Sequence, residues 1–401
     1  MKKVITDREK IAEILSRSID TVYPTKKALE EVLLSGKRLS IYVGIDPTAD
    51  YVHIGHSTNY LILERLHNLG HKIIVLVGDF TAMIGDPSDK TSARVQLTRE
   101  NVLENLRSFK EQIGKILDFN NKDNPIEFHF NSEWLSKLSF EKLAELASNF
   151  TVQQMLQRDM FEKRIKENKP LYVHEFFYPL MQGYDSVALD VDLEIGGTDQ
   201  TFNMLAGRTL VKRYLNREKF VVTTTLLVNP VTGEKLMSKS LGTGIALNDS
   251  AQNMFGKTMA IADEGVIQTF VDCTRFSMEE IEAKKKRLAS GENPKNIKLE
   301  LAHALVSMYH NEKIADEARS EWEKTFSEKE TPSDMPILSL SGADLVSALI
   351  EAGAVSSKSE ARRVIEQKGV KVNGEVVIDH ARTLKSGDVV QKGKMYFFKV
   401  K

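Results

Sequence analysis

Two stretches of the 401-residue chain carry side chains that could do chemistry. In the first, residues 42–56, Tyr42, Asp46, Thr48, His53, Gly55 and His56 follow one another closely. His53 and His56 are three apart and so project from one side of a first helical turn, and Gly55 between them leaves room for a flat ring to meet the backbone. A helix N-terminus adds unpaired N–H groups and the positive end of the dipole. That combination suits a nucleoside triphosphate; the same spacing also suits a pair of metal ligands or an exposed polar face. In the second stretch, residues 233–242, Lys235 and Lys239 stand among Ser238, Ser240, Gly233 and Gly242. A small hydroxyl-rich loop carrying mobile point charges can wrap phosphates, and it can equally be a solvated loop.

Elements able to position these groups follow from periodicity and breakers. Residues 39–45 form an apolar, β-branched run ended by Asp46 and Pro47, which predicts a buried strand. A helix is predicted over 54–69, with Ile62, Leu66 and Leu69 on one face and Gly70 as its stop. Residues 72–77 read as the next buried strand, which completes a βαβ unit, and further strands are predicted at 127–130, 191–195 and 220–227. The implied fold class is α/β, a Rossmann-like doubly wound parallel sheet. Beyond Ser250 the pattern turns helical, with a capping box at Ser277 and Glu280 and apolar residues Ile297, Leu301, Leu305 and Met308 at helical intervals. Residues 328–336 are polar with two prolines and read as a linker; two short helices, 342–351 and 358–367, and β-like runs around an Asn373-Gly374 turn follow. Three modules are expected: a catalytic domain at 1–249, a helical domain at 250–331 and a small α+β domain at 338–401.

Composition narrows the function. Hydrophobic residues are 41% and charged residues 28%, enough for packed cores. The net charge of −1 conceals a gradient, because residues 339–401 hold 11 Lys and Arg against 7 Asp and Glu. A basic end on an acidic body points to a polyanion contact at the C-terminus. The single cysteine, Cys273, excludes a disulfide framework or a cysteine-rich metal site. No apolar run reaches the roughly 20 residues of a membrane span. The N-terminal residues, interrupted by Asp7, Glu9 and Glu13, resemble neither a secretory nor a transit peptide, so a cytoplasmic protein is expected.

His53-Ile54-Gly55-His56 followed about 180 residues later by Met237-Ser238-Lys239-Ser240 resembles class I aminoacyl-tRNA synthetases. The segments 42–50, 84–94, 178–185 and 195–200 narrow the resemblance to the bacterial tyrosyl-tRNA synthetases; the helix with Tyr178, Gln182 and Asp185 is not shared by tryptophanyl enzymes. The tail around Arg362, Arg363, Lys368 and Asn373 is similar to the S4 RNA-binding fold. The resemblance spans essentially the whole chain. It implies ATP-dependent activation of tyrosine and transfer to tRNA(Tyr), a homodimer, magnesium accompanying ATP, no tightly bound cofactor, no protein-built metal site and no membrane.

It also implies roles. His53, His56, Lys90, Arg94 and Lys239 would stabilise charge on the phosphates. Tyr42 and Asp185 would read the tyrosine hydroxyl, and Asp86, Tyr178, Gln182 and Gln200 its ammonium. Asp46, Thr48, Gly55, Gly197, Asp199, Ser238 and Lys239 would hold ATP, with Asp46 on either the nucleotide or the ammonium side. Arg362, Arg363 and Lys368 would contact tRNA. Against these stand plainer readings: Asp46 as a turn former, Tyr178 and Tyr184 as core aromatics, and Lys284–Arg287 as a solvated helix face. His174, His303, His310 and His380 read as structural or surface residues, and Cys273 as a buried small hydrophobe. The chain departs from the family at Leu236, where lysine usually precedes Met-Ser-Lys-Ser, and at Asp89, where glycine is common. A tryptophanyl enzyme and a degenerate RNA-binding relative are the alternatives, and the retained histidines and lysines speak against the latter.

Overall fold

The computed structural model describes residues 3–86, 97–229, 231–233, 236, 244–327, 335–340, 342–355, 357–393 and 396–401. Six strands form the first sheet: β1 (Ile19–Tyr23), β2 (Ser40–Ile45), β3 (Lys72–Val77), β4 (Glu127–Phe130), β5 (Leu193–Gly197) and β6 (Phe220–Thr224), in spatial order β1-β6-β5-β2-β3-β4. Every neighbouring pair is parallel except β1 with β6. The doubly wound sheet is therefore as expected, with one antiparallel edge strand added. β1 has no apolar run to announce it: Asp20 and Thr21 interrupt its five residues, and a single one, Val22, is buried. The strand expected at 191–195 begins at Leu193, and the one expected at 220–227 ends at Thr224.

The continuous apolar runs of β2 and β3 reflect burial on both faces. Ile41, Val43, Ile73 and Val75 join the large core, while Tyr42, Ile74 and Leu76 face the opposite side with Val191. Helix α1 (Ile54–Asn68) leaves β2, runs 15 residues and ends before Gly70, whose φ of +96° brings the chain round to β3. Helices α2 (Phe177–Ala188) and α3 (Thr201–Leu215) flank β5 and pack on each other.

Residues 251–327 are helical, with α4 (Ala251–Met259), α5 (Val266–Cys273), α6 (Met278–Ala289), α7 (Pro294–Tyr309) and α8 (Glu312–Ser327). Their buried residues, among them Phe255, Phe270, Leu301 and Ala318, lie in one apolar cluster with Ile41 and Leu63 of the sheet layer. Buried Arg17 adds a polar tie: Nε donates to Val271 O, Nη1 to Phe276 O and Nη2 to Thr274 O, so one guanidinium occupies carbonyls at the end of α5. The capping box of Ser277 and Glu280 opens α6 as expected. The lysine-rich stretch on that helix differs from expectation. Lys285 and Lys286 are solvated, but Lys284 is buried against Phe270 and Phe276 and paired with Glu300, and Arg287 binds Glu292 and Glu300. Spacing alone did not show that α7 would bring a carboxylate to that face.

Residues 328–334, most of the expected linker, lie outside the described residues; after them, α9 (Leu345–Glu351) and α10 (Lys358–Glu366) pack with a five-stranded sheet of β7 (Ile337–Leu338), β8 (Val370–Val372), β9 (Glu375–Val376), β10 (Val389–Lys392) and β11 (Tyr396–Val400), ordered β7-β11-β10-β8-β9. Its core, from Leu340 to Val400, is a separate cluster. Asn373 and Gly374 both take positive φ, as a two-residue hairpin turn requires.

His71 is buried just ahead of β3, and its Nδ1 accepts the Leu39 N–H at 3.2 Å, which only an unprotonated nitrogen can do. Burial, reinforced by Arg38, pushes its pKa down to about 4 from 6.5. The folded state thus binds fewer protons here than the unfolded chain, so this contribution is fully present above pH 6.5 and declines as pH falls towards 4. His71→Gln keeps an acceptor that does not titrate. Urea midpoints for this variant should fall less between pH 6.5 and 4 than those of the unsubstituted protein.

Candidate active site

The carboxyl ends of β2, β3 and β5 open onto a cavity of about 320 Å³, at the point where the strand order reverses. Ligands of open α/β sheets bind in that crevice. The residues around it fall into three groups by depth.

Asp46 follows β2 directly. Its Oδ1 accepts from Thr81 Oγ1 and its Oδ2 from the Tyr178 hydroxyl, both at 2.8 Å. Gly78 makes this possible, since a Cβ there would lie 2.0 Å from Asp46 Oδ1 and 2.3 Å from Thr81 Oγ1. Buried Asp86 accepts from Gln200 Nε2 at 2.7 Å and stands 3.6 Å from the Arg158 guanidinium, which is stacked near Phe161 and Phe202. Gln182 donates its Nε2 to Glu194 Oε1 at 3.1 Å. A carboxylate accepts only, so this orientation leaves Gln182 Oε1 as the free end of the amide. That oxygen is buried and has no hydrogen-bond partner among the described residues.

Deeper in, Asp185 is buried and held by Trp134 Nε1 at 2.7 Å and Asn131 Nδ2 at 3.2 Å. Burial pushes its carboxyl well above the usual range, and these two donors work against that shift. Tyr42 is fully buried, and its hydroxyl lies 2.9 Å from Ser186 Oγ. Burial, with Glu194 and Asp185 nearby, raises the Tyr42 pKa, so the phenol keeps its proton.

At the mouth, His53 and His56 stack with ring centroids 3.6 Å apart at the N-terminus of α1, where His56 Nδ1 accepts the His53 N–H at 3.3 Å. Thr48, Gly55, Gly197 and Asp199 line the same cavity, and Asp199 is exposed at its rim. The segment carrying Ser238 and Lys239 lies outside the described residues, as do Lys235, Asp89, Lys90 and Arg94. The positions flanking it are anchored. Leu236 donates its N–H to Leu227 O and packs on the large core, and Ile245 accepts from the Ile54 N–H.

The cavity thus gathers Tyr42, Asp46, Thr48, His53, Gly55, His56, Asp86, Tyr178, Gln182, Asp185, Gly197, Asp199 and Gln200. Tyr184 is half-buried and does not line it. Arg362, Arg363 and Lys368 belong to the C-terminal module, exposed on α10 and the turn after it. His303 pairs with Asp316, His310 binds Asp249 O, His380 lies by Glu366, and Cys273 is buried, all in keeping with structural parts.

Residues 34–327 match the family described as tRNA synthetases class I (W and Y), and residues 345–390 match the S4 domain. Over 399 residues the chain is 42% identical to the tyrosine–tRNA ligase of Haemophilus influenzae, covering 99% of this chain and 98% of that one. Over 394 residues it is 42% identical to tyrosine–tRNA ligase 2 of Clostridium acetobutylicum, covering 97% of each. The chain belongs to the class I tyrosyl-tRNA synthetases, the tyrosine–tRNA ligases. Solved synthetases share its fold at lower identity. A C-terminally truncated mitochondrial tyrosyl-tRNA synthetase from Aspergillus nidulans aligns with a TM-score of 0.67 at 22% identity, over 79% of this chain and 94% of its own. A tyrosyl-tRNA synthetase from Archaeoglobus fulgidus, solved with L-tyrosine, aligns at 0.62 and 22% identity, over 78% of this chain and all of its own.

Sequence reasoning missed several cavity or supporting residues of this synthetase: Gly78, Thr81, Asn131, Trp134, Arg158, Ser186, Glu194 and Lys219. No local signal marks them. Each is an ordinary residue of a helix, strand or loop until the sheet brings it to Asp46, Asp86, Asp185 or Tyr42.

Proposed function

We propose that tyrosine lies in this cavity with its hydroxyl at Tyr42 and Asp185 and its ammonium at Asp86, Tyr178, Gln182 and Gln200, and that ATP lies across the mouth between His53, His56 and Asp199. The observation that carries this reading is the sorting of polar groups by depth. An acceptor and a phenol sit at the buried end, carboxylates and a free amide oxygen sit midway, and imidazoles on a helix N-terminus sit at the rim. An amino acid with a polar tip and a nucleotide behind it match that order.

A tyrosine carboxylate oxygen attacks the α-phosphorus of ATP, and the bond to pyrophosphate breaks with its electron pair leaving on that group. A ribose hydroxyl at the tRNA 3′ end then attacks the tyrosyl carbonyl, and AMP leaves. Neither step requires a protein nucleophile, so catalysis rests on alignment and on stabilising charge as it spreads over the phosphates. His53 and His56 serve that purpose with the Thr48 hydroxyl, and Lys90, Arg94, Ser238 and Lys239 are assigned to it by motif. Gly55 and Gly197 leave space for adenosine, and Asp199 accepts from its ribose. Asp46 acts on the ammonium side, through Tyr178. Magnesium enters with ATP as part of the substrate; among the described residues no group of three or more His, Cys, Asp or Glu could hold a metal ion. No helix among those residues is long and apolar enough to cross a membrane; a place in the cytoplasm, where bulk tRNA is charged, suits this activity.

The S4 module supplies phosphate contacts through Arg362, Arg363 and Lys368, which make no ion pair among the described residues. The protein works as a homodimer through the segment that exposes Phe140, Val152, Ile165 and Val173, with Phe140 87% exposed. So much apolar surface in one segment marks an interface.

ATP–pyrophosphate exchange tests the reading directly. Tyrosine should drive exchange where tryptophan does not, and Lys239→Ala should slow it about 10²–10³-fold while leaving tyrosine affinity nearly unchanged. Absence of tyrosine-dependent exchange would refute the assignment. A chain ending at Asp334 should still form tyrosyl-adenylate but charge tRNA poorly; full transfer efficiency would show the S4 module to be dispensable. Phe140→Asp should shift the sedimentation coefficient from dimer to monomer, and an unchanged dimer would move the interface elsewhere.

A further inference from the structure

Behind Tyr42 lies a fully buried lysine that the reaction described above does not use. Lys219, just ahead of β6, forms an ion pair with Glu194 Oε2 and donates to Ser186 Oγ at 2.7 Å and Met204 O at 3.3 Å, so its three donors meet three acceptors. The ammonium sits 5.7 Å from the centre of the Tyr42 ring. Gly207 on α3 makes room for it, since a Cβ there would fall 2.5 Å from Lys219 Nζ and 2.7 Å from Ser186 Oγ. A buried ammonium and carboxylate are costly to desolvate, and an apolar pair would often be at least as stable.

We propose that Lys219, acting through Ser186, turns the Tyr42 hydroxyl into a donor towards the ligand and thereby helps the pocket distinguish tyrosine from phenylalanine. The inference rests on the tyrosine reading given above. Ser186 has one proton and two acceptors in reach, Tyr42 O at 2.9 Å and Glu194 Oε2 at 3.3 Å. Tyr42 is the nearer of the two, and each Glu194 oxygen already accepts a proton, Oε2 from the Lys219 ammonium and Oε1 from Gln182 Nε2. The Ser186 proton therefore goes to the Tyr42 oxygen, and the Tyr42 proton is left for the cavity. A tyrosine hydroxyl that donates to Asp185 has its oxygen free to accept, and Tyr42 then supplies the matching donor. Without Lys219, the unpaired Glu194 carboxylate takes the Ser186 proton. Tyr42 must then donate to Ser186, and the ligand oxygen loses its donor. Lys219 is thus a positioning residue, separated from the substrate by two others, Ser186 and Tyr42.

The test is kcat/KM for tyrosine and for phenylalanine in pyrophosphate exchange, measured for the unsubstituted protein, Lys219→Met, Ser186→Ala and the double variant. Lys219→Met should lower the tyrosine-to-phenylalanine ratio about three- to tenfold, the worth of one neutral donor, with the phenylalanine value little changed. Ser186→Ala removes the oxygen to which Tyr42 would otherwise turn and should leave the ratio nearly unchanged. The double variant should recover most of the ratio lost in Lys219→Met, because without Ser186 the Tyr42 proton returns to the ligand oxygen. A ratio unchanged in folded Lys219→Met, no recovery in the double variant, or an equal fall for both amino acids overturns the proposal and leaves the ion pair a structural tie. If Lys219→Met does not fold, Lys219→Gln, measured with and without Ser186→Ala, decides in its place. Failure of the unsubstituted protein to exchange with tyrosine overturns the tyrosine reading itself, and this inference with it.

Discussion

The parallel pairing of β2 with β3 on one edge and β5 on the other is the constraint from which the rest of the molecule follows. Parallel neighbours end at the same side, so Asp46, Gly78 and Gly197 arrive together although they are far apart in the chain. Chain direction away from β2 reverses between those two neighbours, which parts the connections and leaves a crevice. Burial on both faces then sends every second residue of β2 to each layer. Ile41 and Val43 serve the large core, while Tyr42 is committed to the pocket side.

Polar groups put into such a floor must be answered by other polar groups. Asp46 has Thr81 and Tyr178, Asp185 has Trp134 and Asn131, and Glu194 has Lys219 and Gln182. These sets decide which atoms remain for a ligand. Gln182 shows the principle: once Glu194 accepts from its amide nitrogen, the oxygen is the end left to accept from a ligand. Two glycines act as spacers within the sets. Gly78 admits the Asp46–Thr81 bond and Gly207 admits the Lys219 ammonium, each at a distance that no Cβ would allow.

The helical segment shares the apolar cluster of the sheet layer and is tied to the N-terminal region through Arg17, so one face of the sheet and the helices after it form one continuous core. The S4 module has a core of its own. That division matches the chemistry. Activation depends on atoms held within tenths of an ångström, whereas phosphate contacts to a long tRNA tolerate an attached, separately folded reader.

The sequence by itself determined the buried central strands, the helix between them, the capped helices after Ser250, the Asn373-Gly374 hairpin and the motif residues around His53. All of these depend on local patterns, namely apolar period, breakers and caps, that need no partner to be recognised. It also pointed to Tyr42, Asp86, Tyr178, Gln182 and Asp185 as one set, through the family resemblance. Tertiary structure alone decided what joins them. The antiparallel edge strand β1 is a five-residue run without periodicity, and pairing with β6 is what makes it a strand. Arg158, Trp134, Ser186, Glu194 and Lys219 carry no spacing signal, because their partners lie on other elements. Lys284 reads as one member of a solvated basic run until α7 lays Glu300 beside it. The physical reason is common to all of these cases. Hydrophobic periodicity is written along one element, whereas a hydrogen bond or ion pair between elements exists only once packing has brought both ends within about 3 Å.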